Sequence, residues 1–140
     1  RQRQMCIRDS GKAISAFTHN AIAAVYMTHP IKNIDTIPTE TTHEGTTQVK
    51  RLVPPHGHHQ GNVATMNYAW LEPGRQLTPH EHADGEEFYF FLEGKGQMLV
   101  GNDWFDVTAG DFVTVPPSHA HSVKNTDDES LVFLTVRTQI

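Results

Sequence analysis

From about Thr47 to the C-terminus the chain alternates short runs of β-branched and aromatic residues with turn formers at regular intervals, and no helical pattern intervenes. This punctuation constrains the fold more than any other feature. Strands are expected over 48–53, 63–71, 77–82, 87–92, 97–100, 104–107, 112–115, 121–125 and 131–137. The breaks fall at Pro54-Pro55, Pro73-Gly74, Asp84-Gly85, Gly94, Gly101-Asn102-Asp103, Gly110-Asp111, Pro116-Pro117-Ser118 and the polar run from Asn125 to Glu129. Each supplies residues that favour tight turns. Many short strands without intervening helices imply a sandwich or barrel.

With 140 residues the chain is long enough to bury a core without disulfides. A net charge of -5 and a pI near 6.0 give no excess positive potential, so nucleic acid is not an expected partner. Cys6 is the single cysteine and cannot pair within the chain, which fits a reducing, cytoplasmic setting. The apolar stretch from Ala21 to Met27 is too short to span a bilayer, so no membrane is expected either.

The organisation is read as three pieces. Residues 1–26 are a non-native, disordered or short helical extension. The opening RQRQMCIRDS resembles a translated sequencing-adapter scar and Met27 is a plausible start; alternatively Ala16, Phe17, Ile22, Ala23 and Val25 share part of a helical face. Residues 27–46 form an N-terminal arm, and residues 47–140 form the barrel. The last strand is apolar on both parities, and Phe88, Phe90 and Leu92 lie opposite Glu87, Tyr89 and Phe91. A doubly covered strand points to a subunit interface, so a homodimer is expected.

Ten histidines are the unusual feature of the composition, because imidazole is the commonest protein metal ligand. His80 and His82 stand two apart, so on a strand both rings project from one face. Glu86 and Glu87 follow the Asp84-Gly85 turn and compete as a carboxylate donor; Glu86 would point to the other face. His119 and His121 follow a proline-rich turn and share a parity. His56, His58 and His59 sit among Pro and Gly residues and read as a solvated loop. Tyr89 shares the face of Glu87, where it reads as a buried phenol, a hydrogen-bond donor to a ligand, or an acid/base. Tyr68 and Trp70 are read as core or pocket lining, and Arg51 and Arg75 as solvated residues able to pair with an acidic substrate.

Two segments resemble the paired motifs of the cupin superfamily. Gly74-RQLTP-His80-Glu81-His82-ADGE-Glu87-FYFFLE-Gly94 is similar to its first motif, and Gly110-DFVTV-Pro116-Pro117-Ser118-HA-His121-SVK-Asn125 to its second. One anchor departs: Ser118 stands where glycine is usual, a position that often serves a positive φ. The resemblance implies an all-β double-stranded β-helix, or jelly-roll barrel. It further implies one divalent metal ion held by His80, His82, Glu87 and His121. Three imidazoles and a carboxylate suit Fe, Mn, Ni, Co, Cu or Zn rather than the oxygen-seeking Ca or Mg. The expected ligand is a small oxygen-bearing anion. An enzyme is expected, oxygenase first, then lyase or decarboxylase, then isomerase, with a non-catalytic binding or sensor protein as the alternative.

Overall fold

Antiparallel pairing runs through the whole chain described by the computed structural model, which covers residues 32–55 and 61–140. Residues 1–26 and His56, His58 and His59 lie outside the described residues. Asn33–Ile140 make one structural unit.

Among the described residues a short 3₁₀ turn at Ile34–Thr36 is followed by nine strands: β1 (Thr39–Thr42), β2 (Thr47–Val53), β3 (Val63–Leu71), β4 (Glu87–Glu93), β5 (Lys95–Val100), β6 (Asp103–Thr108), β7 (Phe112–Val115), β8 (His121–Asn125) and β9 (Leu131–Thr138). They form a six-stranded sheet of order β1-β2-β3-β9-β4-β7 and a three-stranded sheet of order β6-β5-β8. Buried side chains from both sheets, among them Phe91, Phe133 and Leu71 from the larger and Met98, Val107 and Val123 from the smaller, pack into one core. This is the expected all-β architecture. Among the described residues no helix is long and apolar enough to cross a membrane.

Two local expectations fail. Residues 77–82 form no strand; Gln76 and His80 each make a single bridge, to Lys124 and His121. Pro79 carries no N–H and interrupts the ladder. Conversely, β1 lies within the 27–46 arm and pairs with β2. Its sequence, TETT, has no apolar alternation, so nothing in the pattern announces a strand.

The long strand β3 faces opposite to the way its side-chain sizes suggest. Thr65, Asn67, Ala69 and Leu71 point inward, whereas Tyr68 and Trp70 lie on the outer surface. They are half-buried there, with rings 6.1 Å apart and the Trp70 indole N–H donating to Glu72 at 3.1 Å. Neither residue is core or lines the cavity inside the barrel; both border a recess on the outer face with Ile34 and Lys50. Small and polar side chains inside leave room for a cavity, which bulky ones would fill.

Candidate metal centre

The four donor residues come from separate stretches that backbone hydrogen bonds tie together. His80 N–H donates to His121 O at 3.1 Å, and His121 N–H donates to His80 O at 2.8 Å. Ser118 N–H donates to His82 O at 2.8 Å. The two motifs are thus joined at the residues that carry the imidazoles. Ser118 has φ 60, the left-handed conformation that the usual glycine would adopt without cost. Glu87 opens β4, opposite Arg137 on β9 and Val115 on β7. Gly85 fixes the approach to it: a Cβ there would lie 1.8 Å from Thr138 O.

One ligand atom from each of His80, His82, Glu87 and His121 lies within 4.8 Å of the others. Glu87 and His121 are buried, at 7% and 1% exposure, so the cluster sits inside the barrel. Glu87 Oε2 is 2.9 Å from His121 Nε2 and 3.4 Å from His82 Nε2. Glu86 is exposed on the opposite face, and His119 is exposed with Nδ1 3.0 Å from Pro117 O.

Main-chain carbonyls set the tautomers. His80 Nδ1 lies 2.9 Å from Thr78 O, and His121 Nδ1 lies 3.0 Å from His119 O. A carbonyl only accepts, so each Nδ1 carries a proton; His80 Nε2 is left as a lone-pair donor, whereas His121 Nε2 donates to Glu87 and would offer its lone pair only where a metal ion replaces that proton. Burial lowers the His80 pKa to about 4, so this imidazole is neutral at physiological pH. Burial also opposes charge on Glu87, but hydrogen bonds from His121 and His82 outweigh it and hold the carboxyl at about 2. Burial acts against His121 too, yet the Glu87 carboxylate raises its pKa above the ordinary imidazole value. The donor set fits a divalent transition metal: three imidazole rings, an ionised carboxylate, and carbonyls that fix two of the rings.

Tyr89 is fully buried beside the cluster and donates its hydroxyl to Glu87 Oε2 at 3.3 Å. Burial and the neighbouring carboxylate push its phenol well above the usual value, so it stays protonated at neutral pH and orients Glu87 as a hydrogen-bond donor.

A cavity of about 200 Å³ opens onto His80, His82 and Glu87. Its wall is polar on the side of the large sheet, where Arg51 Nη1 donates to Asn67 Oδ1 at 3.3 Å and Asn67 Nδ2 donates to Thr135 Oγ1 at 3.1 Å. Arg51 thus belongs to the cavity, whereas Arg75 is exposed. His43, which the sequence reading passes over, also lines it, with its ring centroid 4.8 Å from that of His80. It sits at φ 50 in the turn between β1 and β2, whose tip is held by Thr78 Oγ1 donating to Glu44 Oε2 at 3.3 Å. A histidine before Glu-Gly in a turn was the available signal, but only the folded hairpin brings it to the site.

Two facing sheets with a histidine–glutamate cluster inside that could hold a metal ion are the arrangement of a cupin barrel, and a family model described as Cupin domain matches residues 67–137. The chain belongs to that family. Among curated proteins it is similar to an uncharacterised protein of Methanocaldococcus jannaschii, 32% identical over 76 residues, covering 54% of this chain and 61% of that one. It is also similar to glucose-6-phosphate isomerase of Thermococcus onnurineus, 42% identical over 62 residues, covering 41% of this chain and 33% of that one. A third relative is the oxalate decarboxylase OxdC of Bacillus subtilis, 37% identical over 71 residues, covering 47% of this chain and 18% of that one. The chain thus spans less than two thirds of each of these relatives. Of solved structures, a protein described as a predicted oxalate decarboxylase from Thermotoga maritima superposes with a TM-score of 0.72 at 23% identity, covering 79% of this chain and 99% of that one. A Klebsiella pneumoniae protein with a double-stranded β-helix domain superposes with a TM-score of 0.64 at 19% identity, covering 79% and 90%. Both likenesses bear on the fold.

Proposed function

We propose that His80, His82, Glu87 and His121 hold one divalent transition-metal ion, and that the chain is an enzyme acting on a small oxygen-bearing anion bound beside it. The observation that carries this reading is the convergence of the four donor atoms at the wall of a cavity with polar lining. Bound there, a divalent ion supplies Lewis-acid polarisation of a substrate oxygen. The chain's own residues do the rest. Thr78 and His119 carbonyls orient two imidazoles, Tyr89 orients Glu87, and the barrel wall limits the space for bulk water.

The sequence places an oxygenase first among reaction classes. The names of the relatives, an isomerase and a decarboxylase, instead favour chemistry of the decarboxylase, lyase or isomerase classes. Metal analysis of the purified protein, followed by turnover assays on small organic acids and sugar phosphates with oxygen uptake recorded, tests the reading. Turnover without oxygen consumption is expected. Substrate-dependent oxygen uptake would restore the oxygenase, and metal binding without turnover on any of these would favour a binding protein. His82→Ala should abolish tight metal binding while His119→Ala retains it; equal loss from both would refute the ligand assignment.

We also infer that a second copy of the chain covers the outer face of the large sheet. Phe90 and Phe112 are 41% and 62% exposed there, beside the half-buried Phe88, Leu134 and Val136. A two-fold axis would pair this apolar face with itself, burying it twice over. Sedimentation equilibrium should give a dimer that Phe112→Ser weakens; a monomer at micromolar concentration would refute the pairing.

A further inference from the structure

Among the described residues two buried side-chain polar atoms have no hydrogen-bond partner: Thr42 Oγ1 and Arg137 Nε. Both belong to residues that line the cavity holding the histidine–glutamate cluster. Leaving a buried donor unpaired costs about 1–3 kcal/mol, so folded proteins keep few of them. Two such atoms thus fall on residues around one cavity, where the protein supplies them no partner.

Arg137 is not alone on this wall. It pairs in register with Thr65 on β3, while Arg51 on β2 pairs with Asn67. Strand geometry puts the two arginine backbones roughly 12 Å apart, with Thr65 and Asn67 between them, so two long side chains can reach one group. Each guanidinium is held from outside by a carboxylate. Glu40 Oε2 accepts from Arg51 Nε at 3.1 Å, and Asp84 Oδ1 and Oδ2 accept from Arg137 Nη2 at 2.6 and 2.7 Å. Both arginine side chains are 24% exposed. A guanidinium has five N–H donors, so each is anchored with donors to spare. Planar guanidinium groups match the oxygens of carboxylate and phosphoryl groups.

We propose that this wall is an oxyanion site: the Arg137 guanidinium, assisted by Arg51 and Asn67, holds the far anionic end of the ligand. The cavity then takes a short molecule bearing anionic oxygens at both ends. Its other end rests on the metal reading above; the arginine end does not. At about 30 Å³ per water the cavity matches on the order of six or seven waters, which suits a molecule of a few carbons.

Titration calorimetry on manganese-loaded and metal-free protein tests this with succinate, 3-phosphonopropionate and monomethyl succinate, the last lacking the second charge. At least one of the doubly anionic probes should bind ten-fold or more tightly than the monoester. Tighter succinate would mark the group as a carboxylate and tighter phosphonopropionate as a phosphoryl; either supports the site. Arg137→Gln and Arg51→Gln should each cut the margin below three-fold. Because Arg137→Gln also breaks the Asp84 bridge, Asp84→Asn provides the control, and it should retain most of the margin. A monoester that binds as tightly as the dianions, a margin that survives both glutamine variants, or an Asp84→Asn protein that loses the margin as fully as Arg137→Gln, would each overturn the site. If manganese fails to bind at all, the metal reading falls, and the margin in metal-free protein still decides the arginines.

Discussion

Tyr89→Phe separates two contributions that one side chain makes to the centre. The ring packs against Phe133 and Phe91, with centroids 5.7 and 6.5 Å away, and phenylalanine keeps both contacts. What is lost is the hydroxyl's bond to Glu87 Oε2 at 3.3 Å. Hydrogen bonds to ionised groups contribute about 1.5–3 kcal/mol. This one is longer than the 2.5–2.7 Å of strong charge-assisted O–H···O⁻ bonds, and the carboxylate keeps His121 at 2.9 Å, so the loss falls to about 1 kcal/mol. For a chain of this size that lowers Tm by roughly 3–5 °C. Removing an outer partner of a ligand weakens metal affinity about ten-fold or more. Thermal melting of metal-free protein and a competitive chelator titration read the two effects separately. Tyr89→Leu, which also removes the ring, should melt several degrees lower still. If Tyr89→Phe matches the parent in both Tm and metal affinity, the hydroxyl does not position Glu87 and the reasoning fails.

Three further outcomes are expected. In the metal-free protein the depressed Glu87 stabilises above its unfolded value of 4.5 and loses that contribution as pH falls through about 2, while the raised His121 stabilises below 6.5 and loses its contribution as pH rises through its folded value. The lowered His80 has the opposite sign, stabilising above 6.5 and losing its contribution as pH falls toward about 4, so melting of chelated protein should peak near 6.5; metal should shift the optimum upward because ion and proton compete for His121, and an unchanged optimum would count against His121 as a ligand. Ser118→Gly relieves a left-handed serine and should raise stability by about 1 kcal/mol in a urea titration, whereas a loss would show that the serine side chain is needed there. Gly85→Ala drives a Cβ into the Thr138 carbonyl, so it should cost several kcal/mol and weaken metal binding through the displaced start of β4; wild-type behaviour in both assays would disprove the close approach.

The resemblance of two spaced motifs to the cupin pattern was enough to imply His80, His82, Glu87 and His121 as ligands, and turn punctuation to imply a barrel built from short strands. Those features are local: turn residues break strands wherever they stand, and motif spacing is carried in the order of residues itself. The same logic misplaced 77–82 as a strand, where Pro79 prevents a ladder and the histidines are instead held by single bridges to the second motif. It also sent the large residues of β3 inward, because size and hydrophobicity normally mark the buried parity.

Tertiary structure decided the rest. Only the closed barrel shows that Tyr68 and Trp70 face out while Thr65 and Asn67 line a cavity, that a turn residue 37 positions before His80 lies against it, and that Arg51 and Arg137 share a wall. Those residues are distant in sequence and carry no periodic signal. Their meeting depends on strand order and register, which arise from the balance of packing over the whole fold and not from any one segment.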